Sequence, residues 1–280
     1  MEINLGEEKI IEIVSPYSAS EVHERMLGKK MDAFGALAKL MQRPRWDEIV
    51  ISNTQKRYEP FWFGSAIARF SYDRRHRYTV PVAQEVQSVT LHDQEYQVQR
   101  DKPPSSFTIE AVEHCIEETR RELMLDPVRG DDRDYSKYTA APNKQVIASL
   151  DLLEQDGALV VPPEVRSSFL VRRLVQTLMK TFQADAVNEE RIDIDYVYLY
   201  FRPIYAFEYH WVSKDKRAIW EFDAITGDVQ TEGGQIKRQV NAVLANDALF
   251  DVGSDAISTL VPGSGVAIKL GRLAARKALK

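Results

Sequence analysis

The sequence predicts an α+β protein, with two antiparallel sheet units, each covered by helices, and an amphipathic helical C-terminal tail. Three observations carry that expectation. Residues 192–223 alternate in aromatic and β-branched side chains with the two-residue period of a strand. Residues 57–98 hold a second set of alternating aromatic stretches. Apolar residues recur at helical spacing over 20–41, 108–125 and 164–184.

Taken in order, Lys9–Val14 reads as a short strand. The turn Ser15–Ser20 offers an N-cap at Ser18 or Ser20, which places Glu21 or Glu24 in the first turn of a helix. That helix is expected to reach Met41, with Val22, Met26, Met31, Phe34, Leu37 and Leu40 inward, and Pro44 stops it. Glu48–Ser52 is a strand. Arg57-Tyr58-Glu59-Pro60-Phe61-Trp62-Phe63 leads through a bulge at Gly64-Ser65 into an alternating strand to Tyr72. Asp73–Arg77 is expected as a turn, Tyr78–Val82 as the return strand, and 86–98 as a second hairpin. Pro103-Pro104 leads into a helix over Thr108–Leu125, with Ile109, Val112, Ile116, Thr119 and Leu123 as its stripe.

Residues 126–143, rich in charge, Gly and Pro, mark a linker between a unit at 1–125 and a unit at 144–234. A short helix over 145–154, a strand or connector at 157–161 and a helix over 164–184 follow. From Ile192, strict alternation puts Ile192, Ile194, Tyr196, Tyr198 and Tyr200 on one face, and Asp193, Asp195, Val197, Leu199 and Phe201 on the other. Pro203 marks a bulge or an edge. Tyr205–Trp211, a polar turn at Ser213–Arg217 and Ala218–Asp223 form a hairpin closed by Thr226-Gly227-Asp228. Tyr58-x-Pro60-Phe61-Trp62 parallels Phe201-x-Pro203-Ile204-Tyr205, either as a diverged duplication or as two ordinary hairpins sharing a motif. Residues 235–280 form the tail, with helices over 235–248 and 266–280 and an amphipathic segment between.

The stretch Tyr205-Ala206-Phe207-Glu208-Tyr209, its polar turn, and Trp220-Glu221-Phe222-Asp223-Ala224-Ile225-Thr226-Gly227-Asp228 resembles the terminal hairpin of a PepSY module. The resemblance covers the last third of the chain. It implies a helix packed on an antiparallel sheet, and binding or modulation of peptidases rather than catalysis. The chain also resembles bacterial proteins that carry both this stretch and Tyr58–Trp62, a likeness that implies no function.

Composition narrows the classes. In 280 residues, 44% are apolar and 28% charged, as in an ordinary globular protein. The net charge of −5 argues against general nucleic-acid binding. A single cysteine, Cys115, excludes an intrachain disulfide and a cysteine-cluster metal site. No signal-peptide pattern and no spanning apolar run are present, so a cytoplasmic location is expected.

Candidate chemistry is sparse. Asp193-x-Asp195 places two carboxylates on one strand face, as a hard-cation site would, with no third ligand identifiable. Glu208 and His210 share a face and could act as acid and base. Glu113-His114-Cys115, read as helical, points His114 away from Cys115. Gly263-Ser264-Gly265 lacks the spacing of a phosphate-binding loop. No catalytic residue, metal or cofactor is assigned. Two basic turns, around Arg74 and Arg75 and around Lys216 and Arg217, fit an acidic or phosphorylated partner. The tail from Ala256 onward has no acidic side chain and carries +5, leaving −10 on the rest. Its apolar Leu249, Phe250, Ile257, Leu260, Val266, Leu270 and Leu273, with Arg272, Arg276 and Lys277, form the expected docking surface. The leading expectation is a non-enzymatic cytoplasmic binding or assembly module that docks a protein partner, or itself, through the tail. A peripheral membrane adaptor anchored by the tail is second. A hydrolase or nuclease using Asp193, Asp195, Glu208 or His210 is third.

Overall fold

The computed structural model describes residues 1–101, 103–154, 157–231 and 249–250, together with the backbone of 269–272. The expectation of two antiparallel sheet units is overturned: the described chain is mostly one large mixed sheet. Its spine is β8 (Ala186–Trp211), a strand of 26 residues, antiparallel to the 33-residue β2 (Ile49–Pro81). These two strands were assigned to different units, yet they pair from Ile49↔Trp211 to Asp73↔Ala186.

On the other edge of β8, β1 (Glu2–Ile13) runs parallel beside Arg191–Phe201, and β9 (Lys216–Asp223) runs antiparallel beside Ile204–Trp211. Pro203 lies at that changeover of neighbours, so a missing donor there does not end the strand. Beyond β1 lie β6 (Lys144–Ile147), antiparallel, and β11 (Lys269–Arg272), parallel. Beyond β9 lies β10 (Val229–Gln230). The outer edge of β2 takes β7 (Leu159–Val160) at Arg57-Tyr58 and β5 (Ser106–Leu125) from Trp62 to Pro81. A small hairpin, β3 (Ser88–Leu91) and β4 (Gln94–Gln97), stands apart.

Several local expectations change with this topology. Thr108–Leu125 is not a helix but strand β5, paired along its whole length with β2. Its apolar residues at helical spacing split over both strand faces, leaving Val112 and Ile116 exposed, and the pairing with β2 decides. Asp73–Arg77 is not a turn but mid-strand, so Arg74 and Arg75 lie on a two-stranded arm that continues beyond the end of β8. Residues 145–154 form β6 and a 3-10 turn at Leu150–Leu152 instead of a helix. A register shift between Ser65 and Ala66 makes Asp195 a bulge residue, which turns Ile192 and Ile194 to the same face as Val197, Leu199 and Phe201.

One sheet face is covered by two helices. α4 (Ser167–Leu178) lays Leu170, Val171, Leu174 and Val175 on Trp62, Ala66, Phe70, Val197 and Leu199. It sits so close that a Cβ on Gly64 would meet Leu170 at 2.9 Å. α1 (Ala19–Gly28) begins at a capping box, Ser18 bonding the Glu21 N–H and Glu21 returning to the Ser18 N–H at 2.7 Å. It packs Val22 and Met26 on Tyr205, Phe207, Tyr209, Trp211 and Trp220. The helix stops at Gly28, and Leu37, Leu40 and Met41 lie instead on a separate α2 (Ala36–Gln42), which buries none of its residues.

Among the described residues, the opposite face is covered only near Phe61, which is stacked between Tyr135 at 4.4 Å and Tyr200 at 5.0 Å. Tyr135 and Tyr138 come from the segment expected to be a linker, where α3 (Ser136–Thr139) lies. No helix among the described residues is long and apolar enough to cross a membrane.

Candidate functional site

The topology brings the two aromatic-Pro motifs face to face. Tyr58 is opposite Pro203 and Pro60 opposite Phe201, so Glu59 and Arg202 meet at the centre. Around them lies the largest gathering of buried charge among the described residues. One Arg202 nitrogen reaches Glu59 Oε2 at 2.8 Å and the other reaches Asp223 Oδ2 at 2.6 Å. Tyr138 donates its hydroxyl to the same Asp223 oxygen at 2.5 Å, and its ring lies 4.6 Å from the guanidinium. Arg57 contacts Glu59 and Glu221, each at 2.7 Å. Asp223 Oδ1 accepts from the Ile225 and Thr226 N–H groups, so the Asp-Ala-Ile-Thr-Gly turn holds this carboxylate in place. Gly227, at φ +76°, closes the turn against the Tyr17 hydroxyl.

The electrostatics favour charged Arg57 and Arg202 and a protonated Tyr138. Burial disfavours the Arg202 cation, but Glu59, Tyr138 and Asp223 outweigh it and hold its pKa above the ordinary value. Arg57 behaves alike, with Glu221 and Glu59 outweighing burial. Burial pushes the Tyr138 phenol up, and although Arg202 opposes this, the hydrogen bond to Asp223 reinforces it. A phenol held protonated is a poor proton carrier at neutral pH. The arrangement is suited to locking two strands in register.

The sequence-expected candidates are scattered, and Asp193, Asp195, Glu208 and His210 are each occupied. Asp193 accepts from Asn4 at 2.8 Å and pairs with Arg191 at 3.1 Å. Asp195 accepts from Ser65 at 3.1 Å and pairs with Arg120 at 3.2 Å. Among the described residues no group of three or more His, Cys, Asp or Glu is placed to hold a metal ion. Glu208 and His210 do share a face, but Glu208 is bound by Arg217, and His210 Nε2 lies 2.9 Å from Asp215. His114 and Cys115 point to opposite faces of β5, with His114 on Asp73 at 2.7 Å. Arg74 pairs with Glu113 at 2.5 Å, and the Arg75 N–H bonds Asp185 at 2.5 Å. Lys216 and Arg217, expected in the turn, open strand β9 opposite Trp211 and His210.

Of the tail, Leu249 is buried in the main core and Phe250 packs edge-on against Trp62 at 5.7 Å, so both serve this chain's own interior. The backbone carrying Leu270 and Arg272 forms β11, a strand where a helix was expected. Ile257, Leu260, Val266, Leu273, Arg276 and Lys277 lie outside the described residues, as does Gly263-Ser264-Gly265.

Sequence reasoning missed the Arg57–Glu59–Arg202–Asp223 network. The available signal was charge inside otherwise aromatic strand segments, at corresponding places in the two motifs. It missed the β5 edge as well. Ser106 exchanges both its backbone bonds with Gln99, at 2.7 and 3.0 Å, and Met124 O accepts from Arg133 at 3.1 Å. Both are even-numbered and the register to β2 is unbroken, so the even residues from Thr108 to Glu122 turn their N–H and C=O groups outward. No described strand takes up those groups.

No family model matches the chain, and no curated protein or solved structure matches it.

Proposed function

We propose that this chain is a non-enzymatic binding and assembly module of the cytoplasm that engages a protein partner by strand addition to the outer edge of β5. The observation that carries the reading is that edge, open between Gln99 and Asp132 and bounded at both ends by the chain's own backbone. An extended segment seated there would gain a row of backbone hydrogen bonds, and exposed Ile116 and Val112 on the same strand would give it apolar contacts. Exposed edges are templates for pairing, and β5 carries no interrupting proline. The resemblance of the β8–β9 hairpin to a PepSY module points the same way, to binding rather than catalysis.

The test compares wild type with Glu118→Pro by native size in cell extract. Glu118 turns its N–H outward, so proline removes a donor from the open edge and leaves the ladder to β2 untouched. Wild type is expected to migrate well above the 32.1 kDa of the chain, and Glu118→Pro to fall back to it with an unchanged circular dichroism spectrum. Wild type migrating at chain mass in extract would sink the reading.

A further inference from the structure

The end of the molecule where β2 begins and β8 turns into β9 has a different character. α2 exposes Leu37, Leu40 and Met41 at 71, 72 and 74%, and Trp46 follows at 52%. A soluble helix normally buries its apolar residues, and one that buries none presents them to something else. The segment is firmly seated despite that exposure. Phe34 packs on Trp211 at 5.5 Å, and Lys30 Nζ lies 4.0 Å over the Trp46 ring. Ile49 faces Trp211 in register, which places the exposed Val212 and the Lys214–Arg217 stretch beside this segment.

The charge at this end is one-sided. Lys29, Arg43, Lys214 and Lys216 make no ion pair among the described residues. Of the acidic groups nearby, Asp32 is held by Lys39 and Glu208 by Arg217, Asp47 and Glu48 share the single Arg45, and exposed Asp215 lies between Lys214 and Lys216, so cations outnumber anions at this end. In a chain of net charge −5, this end is a cationic rim around a protruding apolar tip that includes a tryptophan.

We propose that this end docks on an anionic lipid surface. The Leu37, Leu40, Met41 and Trp46 side chains enter the interface, while Lys29, Arg43, Lys214 and Lys216 meet lipid phosphates. Aliphatic side chains gain by leaving water at the headgroup boundary, an indole is favoured there, and each cation adds attraction to an anionic leaflet. Phe34 on Trp211 and the Ile49–Trp211 pairing tie the segment carrying α2 and Trp46 to the end of β8 that runs into the β8–β9 turn. This surface goes beyond the assembly reading, is separate from the β5 edge, and does not depend on it.

The experiment sediments the full chain with vesicles of phosphatidylcholine alone and with an equal mixture of phosphatidylcholine and phosphatidylglycerol. It follows tryptophan emission in parallel. Of the four tryptophans, Trp62, Trp211 and Trp220 are buried, so a shift to shorter wavelength reports Trp46. Wild type is expected to pellet with the anionic mixture only, less so at higher salt, with a blue shift. L40E/M41E, at exposed positions that leave the fold intact, is expected to lose both signals. K214E/K216E is expected to lose about tenfold or more in affinity, since each cation near such a surface contributes on the order of a several-fold factor. Wild type remaining in the supernatant overturns the proposal. So does pelleting of L40E/M41E like wild type, which would assign the contact to another segment. Retention of polyglutamate without vesicle binding overturns it as well, and assigns the rim to an acidic protein. None of these outcomes bears on native size in extract.

Discussion

Arg202 and Arg77 each face a glutamate directly across an antiparallel strand pair. Arg202 faces Glu59 at 2.8 Å, and Arg77 faces Glu110 at 2.7 Å. Their chemistry and spacing are the same, but their surroundings differ. The Arg202 side chain is 11% exposed, between aromatic strands and under Tyr138, while that of Arg77 is 77% exposed on the two-stranded arm. A buried charge cannot be left alone, because its partner then sits desolvated without compensation. An exposed pair exchanges its partner for water at little cost. An ion pair in this fold therefore takes its weight from the number of strands and rings around it.

The sharpest way to break that comparison is Arg202→Ala. It strands Glu59 and Asp223 in the junction and is expected to cost about 3–5 kcal/mol of unfolding free energy. Urea denaturation would measure it. A loss no larger than that of an exposed arginine would mean that the junction is wetter than its burial implies. Tyr138→Phe is the next step down. It removes one donor to the Asp223 carboxylate while keeping the ring that shields it, so about 1–3 kcal/mol is expected by the same measurement. If the two losses measured together fall well short of their sum, the two groups act as one unit.

The two pairs also show what could be read in the chain. Strands 192–201 and 205–211, the β9 return and the Gly227 turn were legible, because alternation and turn chemistry are local properties. The helix start was legible for the same reason, although sequence reasoning kept Ser18 and Ser20 as alternatives and missed the capping box that Glu21 closes with Ser18. Pairing was not. Ile109, Val112, Ile116 and Leu123 satisfy helical spacing, yet they form a strand because β2 lies beside them, and β2 is remote in sequence. Arg74 and Arg75 read as a turn because charge clusters favour turns, whereas here cross-strand Glu113 and backbone bonds hold them extended. Pro203 reads in the sequence as a bulge or an edge, whereas it falls where β8 changes neighbours inside one continuous strand. Of the candidate site, Asp193, Asp195, Glu208 and His210 were correctly suspected of sharing faces. Their arginine, serine and aspartate partners come from other strands, and those partners decide that the groups are occupied.

On the arm, the comparison can be sharpened by titration. Hydrogen bonds from Tyr78 and then Arg74 hold the Glu113 carboxyl below the ordinary glutamate value. The folded pKa is therefore lower than the unfolded one, and between the two the unfolded state binds more protons. Whatever stability this carboxylate contributes is present above the ordinary glutamate pKa and is lost as pH falls through the folded value. Carbon-13 chemical shifts of the Glu113 carboxyl are expected to show a midpoint below 4.5, the ordinary value. A midpoint at or above it would mean that the arm does not hold Arg74 and Tyr78 against Glu113 in solution.

The smallest expected effect completes the comparison. Arg77→Ala removes the partner of Glu110 where both side chains are mostly in water, at 77% and 65% exposure. The lost Coulomb attraction is screened by solvent, and the arginine regains rotamer freedom that pairing had cost it, so the two changes largely offset. The urea midpoint should match wild type within error, while Arg202→Ala shifts it strongly. Equal shifts would show that the arm is buried in solution by a contact that the single chain does not contain. That outcome would point to a bound partner along β5, and repeating the measurement with Glu118→Pro in the background would then separate the two contributions.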